Sequence, residues 1–231
     1  MKYYKIKCDS NPKVVGSDYP QSWNFTKEYE KRSSNSNAVY ALIECFNEYI
    51  KPDFIPDLDG FRLSGRAKQT NFISTSVFNA LFMDEHVKQV LQTKCNLGEY
   101  EFYEATLYVR KEPKQYYILG LFYDTYSLIN YPECGYFVEN LKKDDDMPPE
   151  WHNKQFTCKS DLFDIAMKVP YSIYISFTNI KIKKPLEDLD IYYYVGGGIR
   201  IGIVTERFKE AVEEAGLTGL VFEPIEIEVK E

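Results

Sequence analysis

Between Ile199 and Phe222 the chain changes its hydrophobic period twice, and this most constrains its fold. Ile199, Ile201 and Ile203 alternate toward one face, as in a strand, while Phe208, Ala211, Val212 and Ala215 recur at helical spacing. From Leu220 the pattern returns to a strand that runs to Val229. A strand, an amphipathic helix and a strand in succession require a sheet for the helix to cover. The helix boundaries are also legible. Thr205 is placed to cap the start, and Gly216 to take the left-handed conformation that ends it. Leu217 then falls where it touches Val212, the contact that accompanies a Schellman end. The third helical position is Phe208, so there is no capping box. Arg207, Lys209, Glu210, Glu213 and Glu214 are expected to face water.

Three glycines, Gly196 to Gly198, precede this unit and raise the question of a phosphate-binding loop. A dinucleotide fingerprint needs glycines at its first, third and sixth positions, where a strand runs into a helix. Gly196 and Gly198 fit the first two, but the third falls on Ile201, and the glycines lead into another strand. No Lys-Ser or Lys-Thr follows. At the helix start, Glu206 puts negative charge where a phosphate would sit. The glycines therefore read as a hairpin turn.

An echo of the unit lies earlier. Asp84-Glu85-His86-Val87-Lys88, through Gly98, parallels Thr205-Glu206-Arg207-Phe208-Lys209, through Gly219. Either the chain contains an internal pseudo-repeat, or any capped helix before a strand looks like this; both readings stand. Elsewhere, 2–8 reads as a strand and 9–37 mostly as loop with a short helical piece. Val39, Leu42, Ile43, Phe46 and Ile50 predict a helix over 38–50 that Asn37 caps and Pro52 and Pro56 stop. Asp59-Gly60 and Ser64-Gly65 are turn signals. Strands are expected at 102–109 and 115–123 with a turn at Glu112-Pro113-Lys114, and further strands at 171–177, 180–183, 191–195 and 199–204. Strands and helices do not alternate strictly. The expectation is thus α+β, a mixed or antiparallel sheet with a few packed helices, as a single domain over 1–231.

Charge and composition exclude several functions. The net charge of −7 disfavours nucleic-acid binding and suits a basic protein partner. No apolar run approaches membrane-spanning length, and MKYYKIKCDSN lacks a signal peptide's apolar stretch. These features point to a cytoplasmic chain with no membrane association. Five dispersed cysteines (Cys8, Cys45, Cys95, Cys134, Cys158) fit reduced thiols. His86 and His152 are the only histidines, with no His-Glu-x-x-His and no close cysteine pair, so neither metal nor cofactor is expected. Asp57-Leu58-Asp59-Gly60 resembles the middle of a calcium loop, but its ends would fall on Ile55 and Arg66. Ser10-Asn11-Pro12-Lys13 spells Ser-x-x-Lys without its companion motifs. No catalytic residue is singled out.

Two surface features are candidate partner contacts. Asp144, Asp145 and Asp146, followed by Glu150 and Trp151, place negative charge beside an aromatic on a proline-containing stretch without periodicity. Tyr192 and Tyr194 share a strand face with Arg200. Uncovered, that face would be adhesive; covered, it would be core.

TERFKEAVEEAGLTGLVFEPI resembles a C-terminal signature of a large bacterial family, formerly a domain of unknown function, grouped with polymorphic-toxin immunity proteins (immunity family eleven and its relatives). KQYYILGLFYD, with Tyr116, Tyr117 and Asp124, is similar to that family's middle strand. The resemblance spans roughly 70–225, and 1–70 resemble nothing nameable. A related branch carries paired Cys-x-x-Cys-Gly motifs, absent here, so its structural zinc is not implied. The resemblance implies a protein that binds a cognate toxin stoichiometrically and neutralises it, without catalysis. The alternatives are an enzyme with an unrecognised active site or a structural interaction protein.

Overall fold

The computed structural model describes residues 1–22, 24–27, 29, 37–75, 80–140, 155–158, 160–161, 173–182, 189–194 and 201–229. The chain is α+β, with four helices and with eleven strands in two sheets among the described residues. In chain order these are β1 (Tyr3–Cys8), α1 (Pro12–Val15), β2 (Asn24–Phe25), α2 (Asn37–Asn47), β3 (Asp59–Arg62), β4 (Phe82–Asp84), α3 (Glu85–Lys94), β5 (Tyr100–Val109) and β6 (Glu112–Leu121). After two short 3-10 turns come β7 (Gly135–Asn140), β8 (Ile173–Ile182), β9 (Ile191–Tyr194), β10 (Ile201–Thr205), α4 (Glu206–Glu214) and β11 (Leu220–Val229). One sheet has the order β2-β3-β5-β6-β4 and the other β7-β8-β11-β1-β10-β9. Each contains one parallel pair, β3 with β5 and β8 with β11; the remaining neighbours are antiparallel.

The layers follow from side-chain alternation. α3 and α4 lie between the sheets in one shared core. Val87 and Leu91 of α3, Phe208 and Val212 of α4, Tyr4 and Ile6 of β1, Tyr117 and Leu119 of β6, and Val204 of β10 all belong to it. The alternate residues point outward into two further cores. Tyr116 and Ile118 of β6 meet Val39, Leu42 and Phe46 of α2. Tyr192 of β9 and Ile203 of β10 meet Ile129, Tyr131 and Phe156. Strands covered on both faces carry near-continuous apolar runs, which is why β6 reads Tyr-Tyr-Ile-Leu-Gly-Leu. Burying Phe208 and Val212 contributes roughly 1.5–3 kcal/mol each.

The helix ends behave as the sequence indicates. Val87 N–H donates to Asp84 Oδ1 at 3.0 Å, and Phe208 N–H to Thr205 Oγ1 at 3.3 Å. Gly216 sits at φ +65, with its N–H on Glu213 O at 3.0 Å and Leu217 N–H on Val212 O at 3.1 Å, the paired bonds of a Schellman end. α2 begins at Asn37 itself rather than after it, and Ile50 lies beyond its end, 58% exposed.

Several expectations are corrected. The turn between β5 and β6 is Arg110-Lys111, both at positive φ (50 and 80), not Glu112-Pro113-Lys114. Pro113 lies inside β6 opposite Tyr108, beyond the reach of β4, whose pairing covers Tyr116 to Ile118. There the missing N–H costs no ladder bond. Asp59-Gly60 is not a turn but the irregular start of β3, where the register with β5 shifts. A Cβ on Gly60 would come within 2.3 Å of the Tyr29 ring, so this glycine admits a neighbour. The segments expected as two strands at 171–177 and 180–183 are one continuous strand where described, β8. β2, β4 and β7 were not anticipated. The glycine run 196–198 lies outside the described residues; its flanks pair antiparallel, with Tyr194 opposite Ile201.

Candidate interaction surface

The expected partner contacts divide three ways. Asp144, Asp145, Asp146 and Trp151 lie outside the described residues, as does His152. Tyr194 is placed in β9 by its pairing with Ile201. Tyr192 is fully buried in the core of the six-stranded sheet, its hydroxyl donating to Leu189 O at 2.6 Å. Burial pushes that hydroxyl well above the usual tyrosine range. Tyr192 is therefore a packing residue and not a partner contact, because Ile129, Tyr131 and Phe156 cover its side of the sheet.

Arg207 is exposed, as expected, and its Nε–H also donates to Asp190 Oδ2 at 2.6 Å. Asp190 is fully buried and also accepts from Thr205 Oγ1 and from Asn96 N–H at 2.7 Å. A buried carboxylate with three donors is satisfied, and the arrangement braces the molecule. Glu206 accepts from Lys2 Nζ at 2.7 Å, and that hydrogen bond holds its carboxyl below the ordinary range. The α4 N-terminus is thus already neutralised by protein.

An open groove of about 470 Å³ crosses the end of the five-stranded sheet. Its walls come from the 55–59 segment before β3, from Glu104 to Thr106 of β5, and from Pro113 to Gln115 of β6. Ile55 stands on its rim, 98% exposed, with Asp53 and Asp57 two positions away on either side. Pro56 limits the backbone there, and Tyr29 hydroxyl donates to Asp57 O at 2.7 Å, fixing the segment from below. Asp57 Oδ1 accepts Asp59 N–H at 3.2 Å, and Asp59 Oδ1 accepts Tyr108 hydroxyl at 3.0 Å. The groove brings together Asp57, Asp59 and Glu104 with the cation Lys114, which pairs with Glu112 at 3.4 Å. Its lining carries three carboxylates to one lysine, with Ile55 projecting at the edge. In the sequence Asp57 and Asp59 belong to a turn signal and an incomplete calcium loop, and nothing local links them to Glu104 and Lys114. The usable signal was Ile55, a large apolar residue one position before a proline, with no periodic partner to pack against.

Among the described residues no group of three or more His, Cys, Asp or Glu could hold a metal ion. His86 is exposed in the first turn of α3. All five cysteines are free; burial pushes the Cys95 thiol up to about 12 and Cys8 to about 11, away from nucleophilic reactivity. No helix among the described residues is long and apolar enough to cross a membrane. The chain matches no family model and no curated protein.

Proposed function

We propose that this protein is an immunity protein that binds a cognate bacterial toxin stoichiometrically and neutralises it. The observation that carries the reading is the acidic groove with the exposed Ile55 on its rim, in a chain of net charge −7. A toxin that attacks nucleic acid is basic where it meets phosphate, so a preformed acidic concavity competes for the same surface. Ile55 supplies the desolvated anchor that charge alone lacks. The sequence resemblance of 205–225 to the immunity signature supports the same reading. That segment forms the α4–β11 turn and its flanks, so its matched residues are structural, and the groove lies elsewhere. Asp144 to Asp146 and Trp151 belong to the same proposal as a second acidic contact.

The test is co-expression with a toxin-like gene encoded beside this one. A one-to-one complex on size exclusion and rescue of growth are expected. Glu104→Lys should slow association several-fold at low salt and less at high salt, since Glu104 is exposed and long-range charge acts on encounter. Ile55→Ala should instead speed dissociation. Unchanged rates in both variants would move the contact to Asp144–Asp146 and Trp151. Failure of any complex to form, with substrate turnover by the protein alone, would favour an enzyme.

A further inference from the structure

We infer that the molecule is built from two copies of one unit, and that β1 is the closing strand of the second copy, a clasp supplied from the opposite end of the chain. The two sheets share one pairing scheme. β2-β3-β5-β6-β4 and β7-β8-β11-β1-β10 have the same neighbours with the same orientations, including the parallel second pair. The match extends to register. Asp59 and Phe61 oppose Thr106 and Leu107, while Asn179 and Ile180 oppose Glu226 and Ile227. Met83 opposes Tyr117, and Val204 opposes Tyr4. Tyr100 opposes Leu121, and Leu220 opposes Cys8. Outside Met83 lies the isolated bridge to Phe72, where β9 places Ile191 against Val204. Corresponding residues from Asp59 to Val109 recur about 120 positions later, a fixed period. β6 alone has its counterpart at the other end, in β1.

The chemistry repeats as well. Lys88 Nζ lies 3.9 Å from the Tyr117 ring centroid, and Glu85 takes hydrogen bonds from Tyr117 and Lys88. Lys209 Nζ lies 5.2 Å from the Tyr4 ring centroid, and Tyr4 hydroxyl donates to Glu206 at 3.5 Å. Each helix cap is also clamped to the loop after the other helix. Asp84 N–H donates to Asn71 O, Asn71 Nδ2 donates to Asp84 Oδ2 at 2.8 Å, and Asn71 Oδ1 accepts Thr218 N–H at 2.9 Å. Thr205 N–H donates to Asp190 O, Thr205 Oγ1 to the Asp190 carboxylate, and Asp190 Oδ2 accepts Asn96 N–H at 2.7 Å. Each pair holds one carboxylate, on the cap in the first unit and on its partner in the second. A chance resemblance between capped helices would not reproduce register, edge bridge and reciprocal clamps together.

The register also fixes how the clasp could be reconnected. Val109 opposes Glu112 across the two-residue turn Arg110-Lys111. In the second unit β11 ends beside the start of β1, since Tyr3 opposes Ile225. Four residues, Arg110 to Pro113, separate Val109 from Lys114, so a four-residue link from Val229 to Met1, made of the last two residues and two added ones, restores the spacing of β6. A circular permutant opened between Asp9 and Ser10, with Glu231 joined to Met1 through two residues, should therefore fold with a native spectrum and with β1 amides protected from exchange. A second set uses the clamp. Asn71→Asp places two carboxylates in contact and should lower Tm by more than about 5 °C. Asn71→Asp with Asp84→Thr copies the second unit into the first and should recover at least half of that loss. A double variant no more stable than Asn71→Asp overturns the equivalence. A permutant that folds with unprotected β1 amides, or fails to fold at every joint length, overturns the role of β1.

Discussion

The two units close the same sheet by different routes. In the first, β6 follows β5 across the two-residue turn at Arg110-Lys111, and the strand beside the helix is its neighbour in the chain. In the second, β1 fills that place from far away, and the Lys2–Glu206 ion pair joins positions 204 residues apart. Yet Tyr3-Tyr4 and Tyr116-Tyr117 meet their partners in the same register. Connectivity is thus secondary to the pairing of faces: what defines the unit is a strand with two tyrosines, one for each side of the sheet. Where the units differ, the differences are local. Glu104, on the wall of the acidic groove, corresponds to Pro224 in the second unit.

This comparison can be broken or sharpened by substitution. Phe208 and Val87 occupy one position in the shared core, both fully buried. Phe208→Ala should cost about 3–5 kcal/mol, and Val87→Ala only about 2, because the larger side chain leaves the larger cavity. Equal losses in denaturant melts would mean the two helices are not packed equivalently. Next come Gly219 and Gly98, which follow the two helices at φ +106 and +68. A Cβ at Gly219 would lie 2.2 Å from Phe72 O, a backbone atom, whereas at Gly98 the obstacles are the Leu189 and Tyr123 side chains. Gly219→Ala should therefore cost about 3 kcal/mol and Gly98→Ala about 1–2; the reverse order would show that the Phe72 segment yields more readily than a side chain.

The caps come third. Asp84→Ala should cost about 1 kcal/mol, while Thr205→Ala should cost about 2, because it also removes a donor from the buried Asp190. Gly216→Val should cost about 1 kcal/mol or more through positive φ alone, since nothing lies within 4 Å of its Cβ position. The first unit ends its helix differently, at an extended Cys95, so Cys95→Ala should have no such backbone component.

The smallest effect concerns rate. Cys8 stands where the first unit has Leu121, and burial raises its thiol to about 11. At pH 8 the reactive thiolate is a small minority, so alkylation of Cys8 should lag far behind that of the exposed Cys158 and accelerate as pH rises toward 11. Alkylation of Cys8 as fast as Cys158 at pH 8 would mean that β1 is not seated.

Much of this fold was legible where local chemistry decides it. The α4 cap, its Schellman end and the flanking strands follow from Thr205, Gly216 and the double change of period. The reading failed where tertiary contacts override local signals. Gly60 looks like a turn because glycine usually marks one, but its use is to admit the Tyr29 ring. Arg110 and Lys111 carry no turn signal, yet the β5–β6 ladder holds both at positive φ. Tyr192 could not be assigned to surface or core until the segments around Ile129 and Phe156 were in place, since tyrosine suits either. The groove was illegible for the same reason: Asp57, Glu104 and Lys114 are scattered along the chain and converge only through sheet pairing.

The placement of β1 has a temporal consequence. On the ribosome these residues emerge long before their partners β10 and β11. The first unit has all its strands once residue 121 is out, and nascent chain through that point can begin to fold. The tyrosine strand must wait until β10 and β11 have emerged before it can pair with them, and its insertion closes a very long loop. Insertion of β1 should be the slow, late event of folding. Translation speed through β10 and β11 then sets how long an exposed, two-faced apolar strand is available to other chains or to chaperones.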